Sequence, residues 1–168
     1  MLRNLLCLLC VAVFAVSCFK NKDNGCPYQS SNYVAPQAEQ DALATYLDTN
    51  DIEATKHPNG FYYRIVNAGT GADSVGLCSQ IQVGYEGRLV NGNVFDSSSN
   101  FIFVLGSVVE GWKKGVPLIR KGGEIVLYLP PSLGYGNVDR KNAAGEVVIP
   151  GNSILIFTIK LFDYTIEN

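Results

Sequence analysis

The sequence predicts an α+β fold, an antiparallel twisted β-sheet of about five to six strands wrapped around one short helix, with an amphipathic helix ahead of it. Three observations carry this. Short β-branched and aromatic runs stand between most of the 17 glycines and seven prolines, the pattern of strands joined by turns and not of a helical bundle. Late in the chain only Val108 to Val116, around the single tryptophan Trp112, interrupts that rhythm with a short helical turn or two. Near the start, Gln37 to Thr49 has apolar residues at three- and four-residue steps. A length of 168 residues, 47% of them apolar, suits one domain with a sizeable core plus terminal extras. A net charge of −2 with Lys and Arg spread thinly leaves no basic stripe, which argues against nucleic acid as a partner.

In chain order, Met1-Leu2-Arg3-Asn4 carries a positive charge, and Leu5 to Val16 is apolar but short for a membrane span. Ala15-Val16-Ser17-Cys18 then resembles a bacterial lipobox, although Ala15 stands where leucine is commonest. Residues 1–17 therefore read as a lipoprotein signal peptide and Cys18 as the lipidation site; an ordinary secretory signal with an incidental cysteine is the alternative. Each buried methylene of an acyl anchor contributes roughly 0.8 kcal/mol, so two or three chains hold a protein stably on a membrane. Phe19, where an aspartate would favour inner-membrane retention, leans towards the outer membrane in a cell that has one. Residues 18–36 are polar and read as a flexible tether.

Cys7 and Cys10 would leave with the signal, so Cys26 and Cys78 remain, in a compartment that permits disulfides; the sequence leaves open whether they pair. One histidine, His57, gives no zinc set and no Ser/His/Asp constellation, so no metal site and no cofactor are expected.

Residues 37–58 form the N-terminal helix and its linker. Pro36 stands at the first turn, and Ala38, Ala42, Leu43, Tyr46 and Leu47 form the apolar face. Residues 59–168 are the main domain. Asn59-Gly60 makes a turn, and Phe61 to Val66 is a strand. Cys78 to Val90 alternates, with Ile81, Val83, Tyr85, Gly87 and Leu89 on one face, and Asn91-Gly92 closes a hairpin. Val94-Phe95 starts another strand, and Phe101 to Leu105 alternates again. Pro117 ends the tryptophan helix, Gly123 to Leu129 is a strand broken by Pro130-Pro131, and Ser153 to Phe162 is the last strand. Between them, Ser132 to Val147 reads as a glycine-bearing loop, polar between Asn137 and Glu146.

Aromatic and aliphatic groups cluster at these strand ends with one carboxylate, Asp96, and one glycine-flanked phenol, Tyr135, the composition of an apolar pocket with a few polar groups. The order of motifs carries a resemblance. Val83-Gly84-Tyr85-Glu86-Gly87, Gly92-Asn93-Val94-Phe95-Asp96-Ser97-Ser98, Leu105-Gly106-Ser107-Val108-Val109-Glu110-Gly111-Trp112, Pro130-Pro131-Ser132-Leu133-Gly134-Tyr135-Gly136 and Ile149-Pro150-Gly151-Asn152-Ser153 stand in the order of the FKBP family of peptidyl-prolyl cis-trans isomerases, which the chain resembles from Gln82 to Phe162. The leading lipobox, tether and helix are similar to those of bacterial membrane-anchored members.

The resemblance implies roles. Trp112 would be the pocket floor under a proline ring, with Asp96 and Tyr135 as the other catalytic groups. Tyr85, Phe95, Phe101, Val108, Val109, Ile149 and Phe157 would be the substrate-binding walls, with the Val109 N–H facing a substrate carbonyl. It implies proline-containing polypeptides as substrates, macrolides as inhibitors, a lipid anchor, and a cell-envelope location on the periplasmic or surface side. The oligomeric state stays open. Three departures stand out: the arginine that many members pair with the aspartate is missing between Asp96 and Phe101, Gly84 stands where a polar residue is usual, and the Asn137 to Val147 loop is longer and lacks a histidine. They motivate an alternative, a low-turnover chaperone or proline-peptide binding module on the same fold.

Overall fold

The computed structural model describes residues 25–165; Cys18, the signal segment and the first part of the tether lie outside the described residues. The strands are β1 (Thr55–Lys56), β2 (Tyr62–Asn67), β3 (Gln80–Leu89), β4 (Val94–Val104), β5 (Glu124–Leu129), β6 (Arg140–Lys141), β7 (Val147–Ile149) and β8 (Leu155–Tyr164); the α-helices are α1 (Gln37–Thr49) and α2 (Glu110–Gly115). Among the described residues, six strands form one sheet in the order β1-β2-β5-β8-β3-β4, and β6 and β7 make a separate hairpin. Every pairing in the sheet is antiparallel.

The sheet buries both faces at its centre, and β5 shows why. Ile125, Leu127 and Leu129 join Leu155, Phe157, Ile159 and Leu161 of β8 in the core that also holds Trp112 and Val116. The alternate residues Val126 and Tyr128 pack with Leu43 and Leu47 of α1 on the opposite face. A strand covered on both sides reads as a continuous apolar run.

The helix α2 carries two glycines, which weaken an isolated helix by about 1 kcal/mol each relative to alanine. Their use is close approach. A Cβ on Gly111 would lie 2.4 Å from Leu129 Cδ1, and one on Gly115 would lie 2.6 Å from Leu127 Cδ2. The helix therefore rests directly on β5 and turns Trp112 towards the strand ends. Pro117, in the 3-10 turn Val116–Leu118, ends it as expected.

Four local features differ from the sequence reading. The helix α1 has its expected span, but Ala38 and Ala42 are exposed while Gln40 is buried at 8% exposure. Gln40 Nε2 donates to the Ala35 carbonyl at 2.7 Å, which satisfies the buried amide.

The two expected strands around Asp96 and Phe101 are one, β4. Ser97 and Ser98 stay in the ladder opposite Glu86 and Tyr85, and a register shift between Val83 and Tyr85 takes up the irregularity. The polar loop after Tyr135 contains the β6–β7 hairpin, turned by hydrogen bonds from the Asn142 amide to the Glu146 carbonyl and from the Gly145 amide to the Asn142 carbonyl.

The described part of the tether, residues 25–36, is fastened to the domain. Cys26 and Cys78 are disulfide-bonded. The Tyr28 ring covers Gly106, Ser31 Oγ donates to Glu110 Oε2 at 2.8 Å, and Lys114 Nζ donates to the Ser31 carbonyl. Asn59 Nδ2 donates to the Tyr33 carbonyl at 2.7 Å, and the Ala35 amide donates to the Asn59 carbonyl at 3.0 Å. Few apolar residues are involved, so composition alone suggested mobility; one covalent bond and several polar contacts hold the segment instead.

Candidate active site

Strand ends and loops converge on one side of α2. Strand β3 supplies Tyr85; β4 supplies Asp96, Phe101 and Phe103; the segment entering α2 supplies Ser107, Val108 and Val109. Trp112 comes from α2, Tyr135 from the loop after β5, and Phe157 from β8. Together they line a cavity of about 280 Å³. That is near the lower end of small-molecule sites, room for a ring and its flanking groups.

Trp112 forms the wall nearest the core and is 4% exposed. Three rings wedge it: Phe157 at 5.2 Å and 88°, Tyr85 at 5.3 Å and 83°, and Phe103 at 5.8 Å and 53° between centroids and planes. Edge-to-face packing of this kind adds about 0.5–1.5 kcal/mol per pair beyond burial and fixes the ring. Gly87 makes the wall possible. A Cβ there would lie 2.6 Å from Phe95 Cζ and 2.8 Å from Phe157 Cε1, so only glycine lets those rings meet at 5.5 Å.

The polar groups sit around the mouth. The Tyr85 hydroxyl donates to Asp96 Oδ2 at 2.7 Å. Burial, the hydrogen bond to Asp96 and the charges nearby push the Tyr85 phenol far above its ordinary range. Burial and then the Asp96 charge also raise the Tyr135 phenol, while Arg140 partly opposes them. Both phenols therefore stay protonated and remain donors. Tyr135 is presented by a pinned loop. The Gly136 amide donates to the Pro131 carbonyl at 2.8 Å, the Asn152 amide to the Gly136 carbonyl at 2.9 Å, and the Ser132 amide to Glu39 Oε2 of α1 at 2.9 Å.

Of the residues singled out in the sequence, Trp112, Asp96, Tyr135, Tyr85, Phe101, Val108, Val109 and Phe157 line the cavity. Phe95 and Ile149 do not line it. Phe95 stands behind, edge-on to Phe157 and Tyr135, and Ile149 is a core residue at 5% exposure. Phe103 and Ser107 line the cavity and were missed. Phe103 was within reach of sequence reasoning, because it lies two residues beyond Phe101 on the same strand and so on the same face.

Such a box can take a ring-shaped apolar group against the indole, with donors and one carboxylate placed for the polar groups beside it. Comparisons with known proteins agree with this shape. Residues 73–162 match the family model described as FKBP-type peptidyl-prolyl cis-trans isomerase. The chain is 36% identical over 137 residues to a probable FKBP-type peptidyl-prolyl cis-trans isomerase of Haemophilus influenzae, covering 77% of this chain and 54% of that protein. It is 38% identical over 108 residues to FkpA of Escherichia coli, covering 62% of this chain and 37% of that one. The crystal structure of Escherichia coli FkpA superposes with a TM-score of 0.65 at 31% identity, over 79% of this chain and 62% of that chain. A peptidyl-prolyl cis-trans isomerase from Pseudomonas syringae superposes with a TM-score of 0.65 at 25% identity, over 79% and 98%. The chain spans about half the length, or less, of these curated relatives.

Proposed function

Because this chain belongs to the family of FKBP-type peptidyl-prolyl cis-trans isomerases, we propose that it accelerates rotation about Xaa-Pro bonds in exported proteins of the cell envelope. The observation that carries this reading is the aromatic cavity built on Trp112, with Asp96 and Tyr135 both on its lining.

Rotation about a prolyl amide crosses a barrier of about 18–20 kcal/mol, and the uncatalysed step takes about 10–100 s. No bond is made or broken, so the chain needs to favour the twisted amide over both planar forms. The proline ring packs on the Trp112 indole, between Tyr85, Phe101 and Phe157. There the polar planar amide loses hydration, while the twisted form, with less charge on its carbonyl, loses less. Tyr135 donates to the carbonyl before the proline, and the Val109 N–H holds a neighbouring one. Asp96, oriented by Tyr85, places its carboxylate beside the rotating amide. Each 1.36 kcal/mol removed from the barrier is a tenfold gain in rate.

The envelope assignment draws support from two features. The lipobox ending at Cys18 would anchor the chain through its lipidated thiol, with Phe19 favouring the outer membrane. The Cys26–Cys78 disulfide suits an oxidising compartment on the periplasmic or surface side. The eight residues from Cys18 to Cys26 extend at most about 26–29 Å, so the disulfide would keep the domain near the membrane surface. Cys18→Ala should abolish incorporation of labelled palmitate; continued labelling would rule out Cys18 as the lipidated residue.

The activity is tested by the cis-to-trans conversion of a short Xaa-Pro peptide, using protein lacking its first 18 residues. The rate should exceed that of buffer and fall when a family macrolide fills the cavity. A rate equal to buffer overturns the enzyme reading and favours a binding module.

A further inference from the structure

The loop that is longer than in the smallest family members brings a cation to the cavity's rim. Arg140 opens β6, opposite Ile149 of β7. Its guanidinium carbon lies 5.3 Å from the centroid of the Tyr135 ring. The hairpin beneath it is fixed: Asp139 Oδ1 accepts the Gly151 amide at 2.8 Å, and Glu146 Oε2 accepts from Asn142 Nδ2 at 2.8 Å. The ion pairs among the described residues join Arg88 to Glu86, Lys113 and Lys114 to Glu110, and Lys121 to Asp163. Arg140 is in none of them. The nearby carboxylates have other partners, Asp139 and Glu146 within the hairpin and Asp96 at the Tyr85 hydroxyl.

An exposed arginine is usually a solubility residue. This one differs because its guanidinium stands over the ring of the phenol that lines the pocket. A guanidinium lying on a ring keeps its fork of N–H donors free, and that fork matches a carboxylate.

We propose that Arg140 is a specificity-determining residue that favours clients with a carboxylate side chain immediately before the proline. The proposal rests on the isomerase reading above. With the proline ring on Trp112 and the preceding carbonyl at Tyr135, the side chain of the preceding residue leaves the pocket on the Tyr135 side, where Arg140 stands. Glutamate reaches further than aspartate. Without Arg140, the Asp96 carboxylate at the same mouth would repel an acidic client residue. An exposed ion pair shifts an equilibrium up to about fivefold. Salt reduces it, because the screening length falls from about 10 Å at 0.1 M to 3 Å at 1 M.

The test uses three peptides that differ only in Glu, Gln or Lys before the proline, with kcat/KM measured at low and high salt and affinity read separately from Trp112 fluorescence. The wild type should prefer Glu over Gln by about three- to fivefold at low salt, with the ratio near one at high salt. Arg140→Gln should remove the preference, and Arg140→Glu should turn it towards Lys. A wild-type ratio near one at low salt in both readouts, or a Glu preference that survives in Arg140→Gln, overturns the proposal. Turnover at the buffer rate for all three peptides would sink the isomerase reading alone, since the ranking by fluorescence still decides the role of Arg140.

Discussion

The Tyr85 hydroxyl reaches Asp96 diagonally across the β3–β4 ladder, at 2.7 Å, although Asp96 is in register with Gly87 and Tyr85 with Ser98. The space above Gly87 is filled by the Phe95 and Phe157 rings, and the carboxylate meets the phenol two residues back along β3. Diagonal neighbours on one sheet face are within reach of a long aromatic side chain. This bond supplies an orienting donor where the sequence lacks the arginine that many members of the family use. Tyr85→Phe should keep the fold and lower kcat/KM by about tenfold or more, since a hydrogen bond to a charged group contributes about 1.5–3 kcal/mol. An unchanged kcat/KM in the peptide assay would reduce Tyr85 to a packing residue.

Gly115 is a packing requirement. Alanine there gains about 1 kcal/mol in helix propensity but drives a methyl into Leu127, where overpacking costs about 1–3 kcal/mol. Gly115→Ala should therefore lower Tm by a few degrees in thermal unfolding followed by circular dichroism. A higher Tm would mean that α2 lifts off β5 at no cost.

His57 predicts a pH dependence. Its ring stacks on Phe61 at 4.2 Å, and Nδ1 accepts the Asn59 amide at 3.2 Å. Burial, and then the Lys114 charge, hold its pKa below the ordinary value of 6.5. The unfolded chain therefore binds the proton first. The stability from neutral His57 is complete above the unfolded pKa and is lost as pH falls from there through the folded one. His57→Gln keeps an acceptor without the titration. The Tm of the wild type should fall relative to this variant as pH drops from about 7 to 5; parallel curves would exclude His57 as the source.

The disulfide closes a sequence separation of 52 residues, so its loss should cost about 2–4 kcal/mol. It also holds Tyr28 over Gly106, next to Ser107 and Val108 of the cavity lining. In the double variant Cys26→Ser, Cys78→Ser, Tm should fall to that of the reduced wild type, and reductant should change the variant no further. Equal Tm for oxidised and reduced wild type would show that the disulfide contributes nothing to stability.

Much of this molecule was legible in the sequence, and the missing parts share a cause. The alternation of Ile81, Val83 and Tyr85 identified the inward face of β3, and the three-to-four spacing from Gln37 to Thr49 identified α1, because one-sided burial leaves a period in the chain. Trp112, Asp96 and Tyr135 fell together because the family motifs carry them. What stayed hidden depends on partners far apart in sequence. Gln40 is buried only because Ala35 accepts its amide, and residues 26–35 are fastened only because Cys78, Gly106, Glu110 and Asn59 meet them. Ile149 carries the right side chain for a wall, but the β6–β7 pairing turns it into the core. A polar run such as Ser97 to Asn100 has no hydrophobic period, so nothing local marks it as strand.

The most direct test is two-dimensional NMR exchange spectroscopy on an Xaa-Pro peptide at equilibrium, with catalytic amounts of this protein and the Trp112 indole resonance followed in parallel. Cross-peaks between cis and trans proline signals at sub-second mixing times, with an indole shifted by the peptide, are predicted; with a macrolide in the cavity the cross-peaks should vanish and the indole should no longer respond to peptide. Exchange no faster than in buffer, with an indole resonance that never moves, would contradict the account.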